Sequence, residues 1–150
     1  MDTVMIVGRS PDFSYLMQRY VRRSGHRTVL ANADAEVLAV ARRERPAVIV
    51  LEAESGEEPQ WQTLDALRTD QLTADIPVVV CSWLDRGARA LQRQGVVYLR
   101  KPVLYGDLVT ALIETGVTVR AEDLADGPSP GRTRDDEEVG KRERGKKEFS

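Results

Sequence analysis

The sequence predicts an α/β fold in which helices cover both faces of a parallel sheet. Five short apolar segments of strand length alternate with segments whose apolar residues recur at helical spacing. The third apolar segment, residues 48–51, has no polar residue on either face, which indicates a central strand buried under helices. Strands and helices that alternate in this way form a doubly wound sheet with right-handed crossovers.

The first half of the chain supplies three strands and two helices. The strands are predicted at residues 3–7, 26–31 and 47–51. The first helix begins after Ser10, a favourable N-cap, with Pro11 at its first position and Gly25 beyond its end. Its apolar residues recur at helical spacing: Phe13, Leu16, Met17, Tyr20 and Val21. A second helix, residues 33–43, turns three residues toward the core: Val37, Leu38 and Ala41.

The second half continues the alternation. An acidic loop at residues 52–60 precedes a third helix that starts at Trp61 and ends near Thr69, with apolar positions at Leu64, Ala66 and Leu67. The last two strands are predicted at residues 78–81 and 96–99, with a short helix at residues 86–94 between them. The fifth helix, residues 105–115, turns three residues toward the core: Leu108, Leu112 and Ile113.

Composition narrows the class of protein. A chain of 150 residues with a net charge of −2 fits one ordinary domain and carries no overall basic field for nucleic acid. The single cysteine, Cys81, excludes a disulfide framework within the chain and is expected in the core, whereas His26 is expected at the surface. No apolar segment reaches the roughly 18 residues of a membrane span, and no signal-peptide pattern is present. We therefore expect a cytoplasmic protein with no membrane partner.

The composition changes abruptly near Arg120. Residues 120–150 contain almost no large apolar side chains and carry charge blocks of opposite sign, acidic at 135–138 and basic at 141–147. Such a segment cannot bury enough apolar surface to offset the entropy of ordering. We therefore divide the chain into a domain at residues 1–119 and a disordered, charged tail at residues 120–150. A solvated tail is favoured over a weak contact with an acidic partner or nucleic acid.

Three motifs over residues 3–117 resemble the receiver domain of bacterial two-component response regulators. RPAVIVLE resembles the third strand of that family, and Glu52 falls on its phosphoacceptor aspartate. ADIPVVVCS resembles the fourth strand, with Ser82 where the family hydrogen-bonds the phosphoryl group. VVYLRKPV resembles the fifth strand, with Lys101 at the lysine that pairs with phosphoryl oxygens, Pro102 after it, and Tyr98 at the aromatic switch. The resemblance implies a flavodoxin-like (CheY-like) sheet with strand order 2-1-3-4-5.

The sequence departs from the family at its metal site. The acidic pair that ends the first strand and holds Mg²⁺ is replaced by Gly8 and Arg9. Mg²⁺ requires oxygen ligands in near-octahedral geometry, so the loss of both carboxylates removes most of its anchorage. Glu52, Arg9 and Lys101 together carry one negative and two positive charges, a sum of +1. We therefore predict that this pocket holds no metal and that the domain uses no cofactor.

Glu52 has three conceivable roles. It could accept a phosphoryl group at a longer carboxylate, as a functional receiver built from unusual residues. It could hold a permanent negative charge near Ser82 and Lys101, which imitates phosphorylation incompletely because a phosphoryl group carries about −1.5 to −2. It could also pair permanently with Arg9 or Lys101 and fix the pocket in one state. The charges favour permanent pairing.

These features predict an atypical receiver, a pseudo-receiver, that acts in phosphorelay signal transduction through protein–protein interaction. The resemblance implies a protein partner, namely a signalling kinase, an output protein or a second copy in a homodimer. That partner would bind the face formed by the family's fourth helix, fifth strand and fifth helix. No nucleophile and base can be paired from these motifs, so we expect no enzyme. A flavodoxin-like binder of small molecules is a further alternative, although Gly8 is the single glycine of the first turn.

Overall fold

A computed structural model of the chain describes residues 1–32, 34–53, 58–83 and 95–119, except for the side chains of residues 34 and 58–61. The described elements are β1 (Thr3–Val7), α1 (Pro11–Arg23), β2 (Arg27–Ala31), α2 (Asp34–Glu44), β3 (Val48–Glu52), α3 (Glu58–Thr69), β4 (Val78–Ser82), β5 (Val97–Arg100) and α4 (Tyr105–Glu114). The helix predicted at residues 86–94 and the tail predicted at residues 120–150 lie outside the described residues, so α4 is the fifth predicted helix.

The five strands form one parallel sheet in the order β2-β1-β3-β4-β5, which confirms the predicted fold class and strand order. The chain passes from β1 to β2 on one side and then returns to place β3 on the other side of β1. Residues at the carboxyl ends of β1 and β3 therefore meet at the point where the winding reverses, which is where ligands bind in such sheets. Glu52 ends β3 at this point, and residues 8–10 follow β1.

Each face of the sheet has its own apolar core. Helices α1 and α4 pack on one face, and α2 and α3 pack on the other. Successive residues of β3 contribute alternately to the two cores, with Val48 and Val50 on the first face and Ile49 and Leu51 on the second. The uninterrupted apolar sequence of β3 follows directly from this double coverage, because a strand with two buried faces has no position for a solvated side chain.

Two apolar residues predicted on the inner sides of their helices are exposed instead. Leu16 is 38% exposed and Ile113 is 44% exposed. On α1 the sheet is covered by Phe13, Met17 and Val21, which leaves Leu16 on the flank. On α4, Ile113 follows the fully buried Leu112 and is turned by about 100° away from it, toward solvent. The other apolar residues predicted to be inward on α2 and α4 are buried or packed against a core.

Two boundaries differ from the prediction around the third helix. Helix α3 begins at Glu58 rather than at Trp61, and Glu52 belongs to β3 rather than to the loop. Pro59 explains the earlier start, because proline is tolerated in the first turn of a helix, where its missing N–H has no partner to lose. None of the helices within the described ranges is long and apolar enough to cross a membrane.

His26 is buried, not exposed as predicted. Its Nδ1 accepts a hydrogen bond from the backbone N–H of Asp2 at 3.0 Å, and its Nε2 contacts the carbonyl oxygen of Thr118. These partners lie 24 and 92 residues away in the sequence, so no local pattern could have indicated them. Because Nδ1 accepts a hydrogen bond, Nε2 is the ring nitrogen that donates to the Thr118 carbonyl oxygen. The ring joins the N-terminal segment and the segment after α4 to the end of α1.

Cys81 lies in β4 and is fully buried, as predicted, and its burial allows a chemical test. Desolvation raises the pKa of the thiol to about 12, because burial disfavours the thiolate. At about pH 8 the thiol is therefore protonated as well as covered, and we expect no reaction with a disulfide reagent in the folded protein. Intact mass after treatment in buffer and in guanidinium measures this difference. Equal labelling in the two conditions would contradict it.

Candidate functional site

The site is organised around the carboxylate of Glu52, which is 1% exposed. The backbone N–H groups of Arg9 and Ser10 donate to Oε1 at 2.5 and 3.1 Å, and the Ser10 hydroxyl donates to Oε2 at 3.3 Å. The ammonium group of Lys101 donates to Oε2 and forms an ion pair with it. A buried charge is costly unless it is paired and hydrogen-bonded, and these four donors meet both conditions. We call these donors the Glu52 cradle.

The turn between β1 and α1 supplies three of the four donors. Ser10 has an extended backbone, with φ −122° and ψ 146°, and its Oγ accepts from the Phe13 N–H at 3.4 Å as the N-cap of α1. The same hydroxyl donates to Glu52, so one side chain caps the helix and binds the carboxylate. The N-terminus of a helix carries a partial positive charge that favours an anion. The negative charge of Glu52 is therefore stabilised by the N-terminus of α1 as well as by Lys101.

Lys101 reaches the cradle from the loop that follows β5. Its side chain is 9% exposed, and its backbone N–H donates to the carbonyl oxygen of Ser82 at 2.8 Å. The ammonium nitrogen lies 5.2 Å from the ring centroid of Phe13 and 5.7 Å from that of Trp83, within the range of cation–π attraction. The peptide bond from Lys101 to Pro102 is cis. The ammonium is thus held by a carboxylate and by two aromatic faces.

The other predicted site residues occupy distinct places around the cradle. Ser82 is buried at the end of β4, one residue beyond Cys81, which is opposite Glu52 in the sheet register. Tyr98 is half-buried on β5, opposite Val80, and packs against the core beneath α2 and α3. The structure therefore brings Glu52 and Lys101 into direct contact, while Tyr98 packs into the opposite layer from α1.

Ser10 is the functional residue that the sequence interpretation missed. Its role as an N-cap was predicted, but its contact with Glu52 was not, because the two residues are 42 positions apart. The available signal was its place directly after Gly8 and Arg9, the positions where the resemblance puts the acidic pair. A residue at this turn faces the end of β3 whatever its side chain is.

Gly8 is packed so closely that a side chain at this position would require Ser14 or the turn to move. A Cβ atom at this position would lie 2.1 Å from Oγ of Ser14 and 3.3 Å from its Cβ. Ser14 is itself buried on the inner face of α1. The space that an acidic residue at position 8 would need is therefore filled by Ser14.

The close approach at Gly8 predicts an effect on stability. We expect Gly8→Ala to lower the free energy of unfolding by about 1–3 kcal/mol, because the added methyl group displaces Ser14 or the turn. Urea denaturation measures the loss. The matched control is Gly8→Ala combined with Ser14→Ala, in which the obstructing hydroxyl is absent and most of the stability should return. A double variant no more stable than Gly8→Ala would show that Ser14 is not the obstacle.

The cradle opens onto a groove of about 450 Å³ beside the N-terminal half of α1. Glu52 and Lys101 are its charged inner residues, and the exposed Asp12 at the start of α1 also lines it. Its walls are mainly apolar and include Leu16, exposed Trp83 and Val103, among others. The side chain of Trp61, which could have formed a rim with Trp83, lies outside the described residues.

The residues of the cradle do not fit Mg²⁺, the metal that the resemblance implies. Gly8 and Arg9 offer no carboxylate, and both oxygens of Glu52 already accept hydrogen bonds. Lys101 also places a positive charge where the metal would have to approach. Within residues 1–32, 34–53, 58–83 and 95–119, no group of three or more His, Cys, Asp or Glu side chains could hold a metal ion.

The loop after Lys101 is fastened to α1 at a second place. The hydroxyl of Tyr20 donates to the carbonyl oxygen of Val103 at 3.0 Å, and Asp107 accepts from the Leu104 N–H at 3.0 Å. The pKa of Tyr20 is raised, first by burial and then by the Asp107 carboxylate, so this phenol stays protonated as a donor. Arg23 stacks over the ring of Tyr105 at 3.9 Å. The segment from Lys101 to Tyr105 is thus held at both ends.

Two curated proteins are similar to this chain in sequence, although no family model matches it. Protein PilH of Pseudomonas aeruginosa is 29% identical over 106 residues, which are 69% of this chain and 88% of PilH. The transcriptional regulatory protein YxdJ of Bacillus subtilis is 29% identical over 117 residues, which are 78% of this chain and 51% of YxdJ. The chain therefore spans about half the length of YxdJ.

Solved structures of response regulators share the fold. CheY4, a chemotaxis response regulator of Vibrio cholerae, gives a TM-score of 0.67 at 19% identity, and the match covers 77% of this chain and 98% of CheY4. Together with PilH and YxdJ, this likeness confirms the resemblance that the three strand motifs predicted.

Proposed function

We propose that this chain is a receiver domain of the response-regulator type and that it acts in two-component signalling as an interaction module that needs no phosphorylation. The observation that carries this proposal is the Glu52 cradle. The carboxylate lies where the resemblance to the family places the phosphoacceptor. It accepts hydrogen bonds from four donors within the domain. Such a pocket has its anion already in place.

The cradle also argues against phosphoryl transfer to Glu52. An attacking oxygen needs a free lone pair directed at phosphorus, whereas the Glu52 side chain is 2% exposed and both of its oxygens accept hydrogen bonds. Phosphoryl transfer relies on positive charge that stabilises the transferring group, commonly from Mg²⁺. Here the nearest such charge, Lys101, is engaged with Glu52 itself. Permanent pairing with Lys101 is therefore the role we assign to Glu52, in preference to phosphorylation or mimicry.

The pairing holds the pocket in a single arrangement. Lys101 is bound to Glu52, and two residues later the loop is bound to Tyr20 of α1. A movement of this loop away from α1 would break both contacts and leave the Lys101 ammonium without its carboxylate. Phosphorylation would normally supply the energy for such a change in a receiver. Without it, the surface next to the loop is constant, and we assign it to a protein partner rather than to catalysis.

The partner surface that we propose is formed by β5 and α4, together with the family's fourth helix, which lies outside the described residues. β5 is the edge strand of the sheet, and three of its four residues are half-buried. Ile113 of α4 is 44% exposed although isoleucine is usually buried, and Arg100 is exposed at the end of β5. A kinase, an output protein or a second copy of the chain could bind this surface.

The flavodoxin-like alternative finds less support in the site. A nucleotide or flavin phosphate would use the N–H groups at the start of α1. The N–H groups of Arg9 and Ser10 already bind Glu52. A phosphate would have to displace a carboxylate that is attached to the chain and therefore always present.

Treatment with phosphoryl donors tests the proposal directly. The full chain is incubated with acetyl phosphate, or with beryllofluoride, in the presence of Mg²⁺, and a response regulator with an intact acidic pair is treated in parallel. We expect the mass of this chain and its amide NMR spectrum to stay unchanged while the parallel protein responds. A mass gain of about 80 Da on Glu52, the addition expected from phosphorylation, would overturn the proposal.

A further inference from the structure

The solvent face of α1 is apolar at one end and basic at the other. Tyr15 is 63% exposed, and Leu16 beside it is also exposed. One to two turns further along the helix, Arg19, Arg22 and Arg23 are exposed on the same side. Residues three, four and seven positions apart on a helix are neighbours on one face, so these five side chains form a continuous strip. We call this strip the α1 face.

Two arginines of the α1 face, Arg19 and Arg22, have neutral neighbours. Arg22 donates to the side-chain oxygen of Gln18 at 3.1 Å, and the guanidinium of Arg19 lies 5.8 Å from the ring centroid of Tyr15. Arg23 lies over the ring of Tyr105. The contacts of Arg19 and Arg22 orient their guanidinium groups without supplying a negative charge, and the α1 face therefore presents positive charge next to exposed apolar side chains.

The chain leaves the domain beside the basic end of this face. Thr118 contacts His26, which follows Gly25 at the end of α1, and Val117 is buried in the same core as Val21 of α1. The residues after Val119 read RAEDLAD, so residues 122–126 carry three carboxylates and one leucine. The segment that follows the last described residue, Val119, is therefore acidic, whereas the neighbouring end of the α1 face is basic.

We propose that residues 122–126 dock on the α1 face of the same molecule. The acidic side chains pair with the arginines, and Leu124 packs against the apolar end at Leu16. The segment can reach it, because seven residues beyond Val119 extend up to about 25 Å, whereas Tyr15 and Arg23 are about 12 Å apart along the helix. A tether this short gives an effective concentration of about millimolar, enough for a contact built from weak surface pairs. This contact is independent of the function proposed for Glu52.

A spin label on the segment tests the contact in the full chain. Ala125→Cys provides one reactive thiol, because Cys81 is buried and protonated. We expect the label to broaden the amide signals of α1 as far as Tyr15. Reversing charge on the helix, with Arg19→Glu and Arg22→Glu, should reduce this broadening by at least about twofold, as should about 1 M salt, where the screening length is about 3 Å. Reversal on the segment, with Glu122→Lys, Asp123→Lys and Asp126→Lys, should have the same effect.

Three outcomes separate docking from its alternatives. Broadening that is unchanged by either charge reversal and by salt would show that the tether alone brings the label near α1, and would overturn the proposal. Broadening that persists when spin-labelled chains without isotope are mixed with isotope-labelled chains without a spin label would assign the face to a second copy, and would overturn the proposal as well. Loss of broadening in both charge-reversed variants, with the remaining amide spectrum preserved, would support docking within one molecule.

Discussion

Replacing Glu52 with alanine is expected to lower the free energy of unfolding by about 3–5 kcal/mol, the usual effect of removing one partner from a buried ion pair. The variant leaves the ammonium of Lys101 buried without its carboxylate and deprives the N–H groups of Arg9 and Ser10 of their acceptor. Urea denaturation followed by circular dichroism measures the change, provided that the m-value stays the same.

A mutant cycle shows whether the loss belongs to the pair. Lys101→Met alone should cost a similar amount, since it leaves the Glu52 charge in a buried position. The cycle uses Glu52→Gln as the other single variant. Combining Glu52→Gln with Lys101→Met removes both charges and keeps similar volumes, so this double variant should be more stable than the sum of these two single losses predicts. Strictly additive losses would mean that the two side chains do not interact, and the Glu52 cradle would then need another explanation.

Small anions are expected to restore much of the stability lost in Glu52→Ala. The variant keeps the two N–H donors, the Ser10 hydroxyl and Lys101 around a space the size of a carboxylate. Acetate or inorganic phosphate that binds there stabilises the folded state in proportion to its occupancy, by about 2.7 kcal/mol at 100 times its dissociation constant. Thermal unfolding at increasing acetate concentration measures this gain as a rise in Tm.

The anion experiment has two matched controls. The unmodified chain should not respond, because Glu52 already fills the cradle, and chloride at equal ionic strength should have a smaller effect than acetate on the variant. Glu52→Ala combined with Lys101→Met should lose the response, since it lacks the charged donor. An equal response in all of these proteins would identify a general salt effect and would remove support for an anion-binding cradle.

The parts of the fold that could be predicted are those encoded by local pattern. Buried strands covered on both faces give continuous apolar runs, and Ser10, Pro11 and Gly25 mark the first helix, so the five strands and the four described helices, in their order, followed from the sequence. The errors lie at the flanks of helices. Leu16 and Ile113 fit a helical repeat as well as their buried neighbours do, and the packing of neighbouring elements decides which of them faces the sheet.

The candidate site was predictable in position but not in its contacts. The end of β3 identified Glu52, and the motif around Lys101 identified a cation that reaches it. The sequence could not decide whether Lys101 or the side chain of Arg9 is the charged partner of Glu52, because both are cations that follow strands. The three-dimensional arrangement was needed to identify Lys101. The double use of the Ser10 hydroxyl and the buried position of His26 depend on partners far away in the sequence, and local patterns carry no such information.

Two of the four donors to Glu52 are backbone N–H groups. Substitution of a side chain therefore leaves these two hydrogen bonds in place. Exchange of the side chain at position 9 leaves its N–H in place, so this donor to Glu52 is kept by every residue type except proline, which has no N–H. A different residue at position 9 therefore does not by itself remove the main-chain anchor of the glutamate.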